Sequence, residues 1–230
     1  MKKIIFIFLI IGIVISIYLT TQDNKIYYLA LGDDLSLLKG ENRLNIDGFP
    51  KYINNYLKSK NKLEKTVVEY AKLNYRTTDL YNDINNNIKR KLNNEDVSIK
   101  NAIIKADLIT LSIGINDFIN YVNDYKLIKE NIINLKHDMT ILLESIRKIS
   151  KENIILIGIY NPNPMDYNLN IVLKELNRQY ENLCSKYDIY YLNIFDQMGK
   201  DINIYNNFPN EKGYILISNN LINYLEDVII

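Results

Sequence analysis

Five short apolar runs, separated by segments of helical character, constrain this chain more than any other feature. They are KIYYLAL (25–31), TVVEYA (66–71), DLITLSI (107–113), NIILIGIY (153–160) and IYYLNIF (189–195). Each has the length of a strand and is rich in β-branched and aromatic residues. Most are apolar on both faces, which suits strands of a parallel sheet covered on each side.

The segments between them carry the period of a helix. Over 124–150 the apolar positions Ile128, Ile132, Leu135, Met139, Leu142, Ile146 and Ile149 fall on one face, with Asp124 placed to cap the start. A second helix is expected over 169–187 and a last one after Gly213. The Asn-rich stretch 82–96 reads as a surface helix-loop-helix. Cys184, the single cysteine, flanks the apolar face of the second helix and reads as a buried structural thiol. Strands alternating with helices mean an α/β domain. We expect one flavodoxin-like three-layer α/β/α domain over 23–230, with a five-stranded, mainly parallel sheet and its site outside the carboxyl ends of the strands.

The N-terminus departs from this pattern. Lys2 and Lys3 precede an apolar run over 4–19, longer than many secretory h-regions (about 7–15 residues) and shorter than a typical spanning helix (about 20). No small-x-small cleavage pattern and no cysteine follow it. Residues 1–22 are therefore expected to form a hydrophobic signal-anchor helix that leaves the domain extracytoplasmic; the alternative is a cleaved signal peptide and a secreted domain. The membrane is thus one expected partner. With Lys2 and Lys3 set aside, 26 of the 28 basic side chains face 27 acidic ones, with no polybasic patch visible in the sequence. Without a basic stripe, no nucleic-acid partner is expected. One histidine and one cysteine exclude zinc sites built from several such ligands, and no cofactor is expected.

Three blocks follow the strand-like runs. GDDLS (32–36) comes after the first, GIND (114–117) after the third, and NNFPNEKGY (206–214) before the last helix. In this order they resemble the blocks of the SGNH/GDSL hydrolase family. EYAKLNYRTTDL (69–80) is similar to that family's second block, and IYNPNP (159–164) to the loop after its fourth strand. The resemblance spans nearly all of the chain after the N-terminal run. It implies acyl-ester hydrolysis by a serine in the first block. A histidine in the last block serves as base, and an aspartate three residues earlier orients it. It also implies an oxyanion hole made of the serine N–H, a glycine N–H in the second block and an asparagine side chain in the third.

Carried across residue by residue, the resemblance puts Asp34 at the nucleophile position, Phe208 at the base position and Tyr205 at the orienting-acid position. The second-block glycine corresponds to Asn74. Gly114 and Asn116 are retained as oxyanion-hole or ligand-binding positions. The only histidine, His137, points away from the apolar stripe of its helix and lies far from the strand ends. Ser36 has no base partner and reads as a turn residue. A carboxylate at position 34 would repel a developing oxyanion by roughly 4 kcal/mol at about 4 Å and an effective dielectric near 20. That offsets the roughly 3–4 kcal/mol an oxyanion-hole donor contributes. Asp34 therefore reads as a helix cap, and Asn116 equally as a turn or cap residue. The expectation is a catalytically inactive binding or scaffold module in the cell envelope, with a glycan, lipid or protein as its ligand. Two alternatives stand beside it. One is an active esterase or lipase-type acyl hydrolase; the other is a carboxylate- or metal-dependent enzyme using Asp34, with Asp33 and Asp117 beside it.

Overall fold

The computed structural model describes residues 25–38, 46–198, 204–205 and 207–228, with only the backbone of Tyr205. The apolar run over 4–19 lies outside these residues. Among them, no helix is long and apolar enough to cross a membrane.

The five expected runs are the five strands of one sheet: β1 (Ile26–Gly32), β2 (Leu63–Val67), β5 (Leu108–Ser112), β6 (Asn153–Ile157) and β7 (Tyr190–Leu192). The order is β2-β1-β5-β6-β7 and every pairing is parallel. Every residue of β1 and β5 is buried. The fully buried Tyr28 hydroxyl pairs with Thr110 Oγ1 at 2.8 Å, so even the polar atoms of these central strands are satisfied.

Helices cover both faces. They are α1 (Phe49–Ser59), α2 (Thr77–Asn85), α3 (Ile99–Lys105), α4 (Tyr125–Ile149), α5 (Tyr167–Lys186), the short α6 (Phe195–Met198) and α7 (Glu211–Val228). α1 packs on α7, while α2, α3 and α5 pack on α4. The expected stripe of α4 is buried from Ile128 to Ile146, with Leu143 added to it and Ile149 only half-buried. Asp124 caps this helix by accepting from the N–H groups of Lys126 and Leu127. Cys184 is buried, and burial pushes its thiol up to about 12.

Several boundaries differ from the sequence expectation. β2 starts three residues earlier and stops at Val67; α7 begins at Glu211, ahead of Gly213; and α1 had no forecast. The stretch 82–96 is not a helix-loop-helix. It finishes α2 and then forms most of an antiparallel hairpin, β3 (Lys89–Leu92) and β4 (Glu95–Ser98). The turn is Asn93-Asn94, both with positive φ (51° and 70°), the backbone of a type I′ hairpin turn. Asparagine tolerates that left-handed backbone, so an Asn-rich stretch that looks like a polar helix surface closes a hairpin instead.

Strand order reverses between β1 and β5, the switch point where open α/β sheets place their crevice. The strands meet closely there. A Cβ on Gly32, at φ +124°, would lie 1.8 Å from the Ser112 carbonyl oxygen. Only glycine lets the end of β1 lie this close to β5.

Candidate functional site

At the switch point the chain leaves β1 through a 3-10 turn over Asp34–Ser36. The cap of this turn is Asp33, not Asp34. Asp33 Oδ1 accepts from the Leu35 N–H and from the Ser112 hydroxyl, each at 3.2 Å, and its own N–H donates to the Ser112 carbonyl at 2.8 Å. Ser36 donates to the Leu31 carbonyl at 2.8 Å and so serves the turn. Burial, then the charge of Asp34 beside it, pushes the Asp33 carboxyl well above the usual carboxylate range.

With the cap role taken by its neighbour, Asp34 reaches across the crevice. Its Oδ2 accepts from the Asn74 backbone N–H at 3.0 Å and from Asn116 Nδ2 at 2.8 Å. These belong to the loops after β2 and β5, so one carboxylate oxygen joins three strand ends. Asn74 has φ +58°, the left-handed backbone that favours glycine and that asparagine tolerates. Asparagine can therefore hold here the backbone donor that a glycine would.

Asn116 is not a cap either. It sits in a 3-10 turn over Ile115–Asp117, entered through Gly114 at φ +118°. Its Nδ2 donates to the Tyr75 carbonyl at 3.2 Å as well as to Asp34, while its Oδ1 is buried with no hydrogen-bond partner. Turning the amide over would aim Oδ1 at a carboxylate and a carbonyl, so the orphaned acceptor follows from the two donations. Asp34 is 2% exposed and Asn116 5%, so both side chains are buried, while Asn74 at the edge of the site is exposed.

Neighbouring contacts brace these loops. Asp117 Oδ2 accepts from both the N–H and the hydroxyl of Thr77, each at 3.1 Å, tying the β5 turn to the start of α2. Burial pushes Asp117 up to about 6, against the lowering pull of the two Thr77 bonds. Asp83, on α2, accepts from the Tyr75 hydroxyl in the loop after β2 and pairs with Lys72 of that loop, whose ammonium lies 4.6 Å from the Tyr75 ring centre. This buckle fixes the loop that carries Asn74. Neither it nor the Thr77 contact was expected from the sequence; the only hint was the family's second block covering them.

Phe208 is half-buried against the core on β9 (Phe208–Pro209), which pairs with β8 (Ile204–Tyr205). The backbone of Tyr205 lies opposite it, and the Tyr205 side chain is outside the described residues. His137 is exposed in the middle of α4. Among the described residues, no group of His, Cys, Asp or Glu side chains is arranged to hold a metal ion.

The family model of GDSL-like lipases/acylhydrolases matches residues 28–221. The chain belongs to this family. Its fold is similar to that of the lipase Lip_vut3 from a goat rumen metagenome, with a TM-score of 0.70 at 22% identity over 85% of this chain and 95% of that one. It is similar too to Axe2, an acetylxylan esterase from Geobacillus stearothermophilus, with a TM-score of 0.64 at 15% identity over 90% and 95% of the two chains. Three further solved forms of that esterase are catalytic mutants, in which a serine, an aspartate or a histidine is replaced by alanine. No curated protein matches this chain. Within the GDSL-like family, then, this member carries the sheet, the switch point and the two crossing donors, with a carboxylate set between them.

Proposed function

We propose that this GDSL-family protein is a non-catalytic module, held at the outer face of a membrane by the run over 4–19 and serving to bind or organise components of the cell envelope. The observation that carries the reading is the Asp34 carboxylate, at the position of the family's serine and bound to both crossing donors. An ester carbonyl needs those same donors when its oxygen takes up charge. The base position holds Phe208, and the only histidine is exposed on α4. On this reading the family's histidine base has no counterpart at that position.

The tether supports the placement. Five residues, 20–24, separate the apolar run from Lys25, a reach of at most roughly 18 Å. β1 begins at Ile26, at the end of the sheet opposite the crevice. The strand-carboxyl face and its loops then point away from the bilayer, where a glycan, a lipid headgroup or a protein partner meets them.

The test is hydrolysis of p-nitrophenyl acetate by the purified full-length chain. The expected rate equals that of buffer. An activity that disappears in Asp34→Ala overturns the reading.

A further inference from the structure

We propose that Asp34 is a built-in ligand: its carboxylate fills an anion receptor formed by the Asn74 N–H and the Asn116 amide, and a chain shortened at residue 34 accepts free formate or acetate in its place.

Three observations carry this. Both donors converge on the same oxygen, Asp34 Oδ2, at 3.0 and 2.8 Å. Two donors meeting at one point describe a receptor for an oxyanion rather than a set of turn contacts. The turn needs no such contact, because Asp33 already caps it through the Leu35 N–H. Asn116 is held with its Nδ2 toward the carboxylate although its buried Oδ1 goes unpartnered. A buried acceptor left unpaired costs free energy, and the donation to a carboxylate offsets it.

The receptor is also independent of Asp34. Asn74 is placed by its left-handed backbone and by the Lys72–Tyr75–Asp83 buckle. Asn116 is placed by its turn and by the Tyr75 carbonyl. Removing the Asp34 side chain therefore leaves the buried Asn116 amide and the Asn74 N–H aimed at the place of its carboxyl group. In the wild type the resident carboxylate closes that space to any acyl group from outside, so an external ligand meets the loops around the site and not the receptor itself.

This inference rests on the reading that Asp34 is not a nucleophile, and it is tested separately. Full-length Asp34→Gly and Asp34→Ser are melted in sodium formate, sodium acetate and sodium chloride at equal ionic strength. The expected result is a saturable rise in melting temperature with formate or acetate over chloride in both variants. The apparent affinity should be at least about tenfold tighter than in wild type, and the rise should be lost in Asp34→Ser/Asn116→Ala. A variant that unfolds in chloride and regains a cooperative transition in formate also supports it. Variants that respond to formate no more than to chloride, folded or not, overturn it, as does equal saturable binding by wild type. Ester hydrolysis by wild type would sink the non-catalytic reading and leave carboxylate binding by Asp34→Ser intact.

Discussion

The resemblance puts a carboxylate, Asp34, where the family has a hydroxyl, and that carboxylate takes up two donors. In an esterase such donors wait for charge that develops during reaction; here they hold a carboxyl oxygen in the resting protein. Asp34→Ala should therefore destabilise the fold by about 1–3 kcal/mol in urea titrations, because it strands the buried Asn116 amide as well as removing the contact to the Asn74 N–H. Asp117 behaves differently. Its folded pKa, about 6, lies above the usual 3.8, so its contribution is fully present below pH 3.8 and is lost as pH rises through 6. Partial exposure limits the effect to about 1–2 kcal/mol. Asp117→Asn keeps an acceptor for the Thr77 N–H and should flatten that part of the stability profile between pH 4 and 7. A residual slope of the same sign is expected from Asp33, which burial also raises. Residues 34, 74, 116, 205 and 208 were singled out in the sequence by their likeness to the family blocks. Their contacts were not, because two adjacent aspartates offer equivalent caps, and only the packed crevice assigns one to the turn and the other to the donors.

Elements were legible where period and burial agree. α4 and the strands β1 and β5 follow directly from their apolar positions. The hairpin of β3 and β4 was not legible, since its polar strands lack a buried face to set a period. A contact between distant helix ends was equally hidden. Arg147, near the end of α4, donates to the carbonyls of Tyr187 at 2.9 Å, Ser150 at 3.3 Å, Glu152 at 3.0 Å and Asp188. One planar guanidinium thus serves the orphan carbonyls where α4 and α5 end and β6 and β7 begin. Arg147→Lys keeps the charge but not the fork, and should lower stability by about 2 kcal/mol in urea unfolding while leaving the crevice unchanged. Gly32→Ala belongs at this scale too, because its Cβ would drive β1 from β5 at their joined ends. Its expected result is loss of cooperative folding, read by the melting transition.

For the whole molecule, the family blocks gave the chain its place before any contact was known, because they fall at strand ends that the apolar runs mark independently. Introducing together the residues that the resemblance implies, as Asp34→Ser, Tyr205→Asp and Phe208→His, tests whether the frame supports acyl transfer. Measurable p-nitrophenyl acetate hydrolysis is expected if the crevice has kept its spacing. The proposed tether has its own check. The full chain should sediment with membranes, and a chain starting at residue 25 should stay in the supernatant.

The position of β1 has a mechanical consequence. It is the first described strand and is flanked by β2 on one side and β5 on the other, both parallel to it. A pull applied through the N-terminal end of the domain runs along β1 and loads both ladders in shear. Their bonds then bear the load side by side rather than opening one after another, and the rate of forced unfolding sets how long the domain holds. A domain drawn on by whatever it binds would meet that force at a strand paired on both sides.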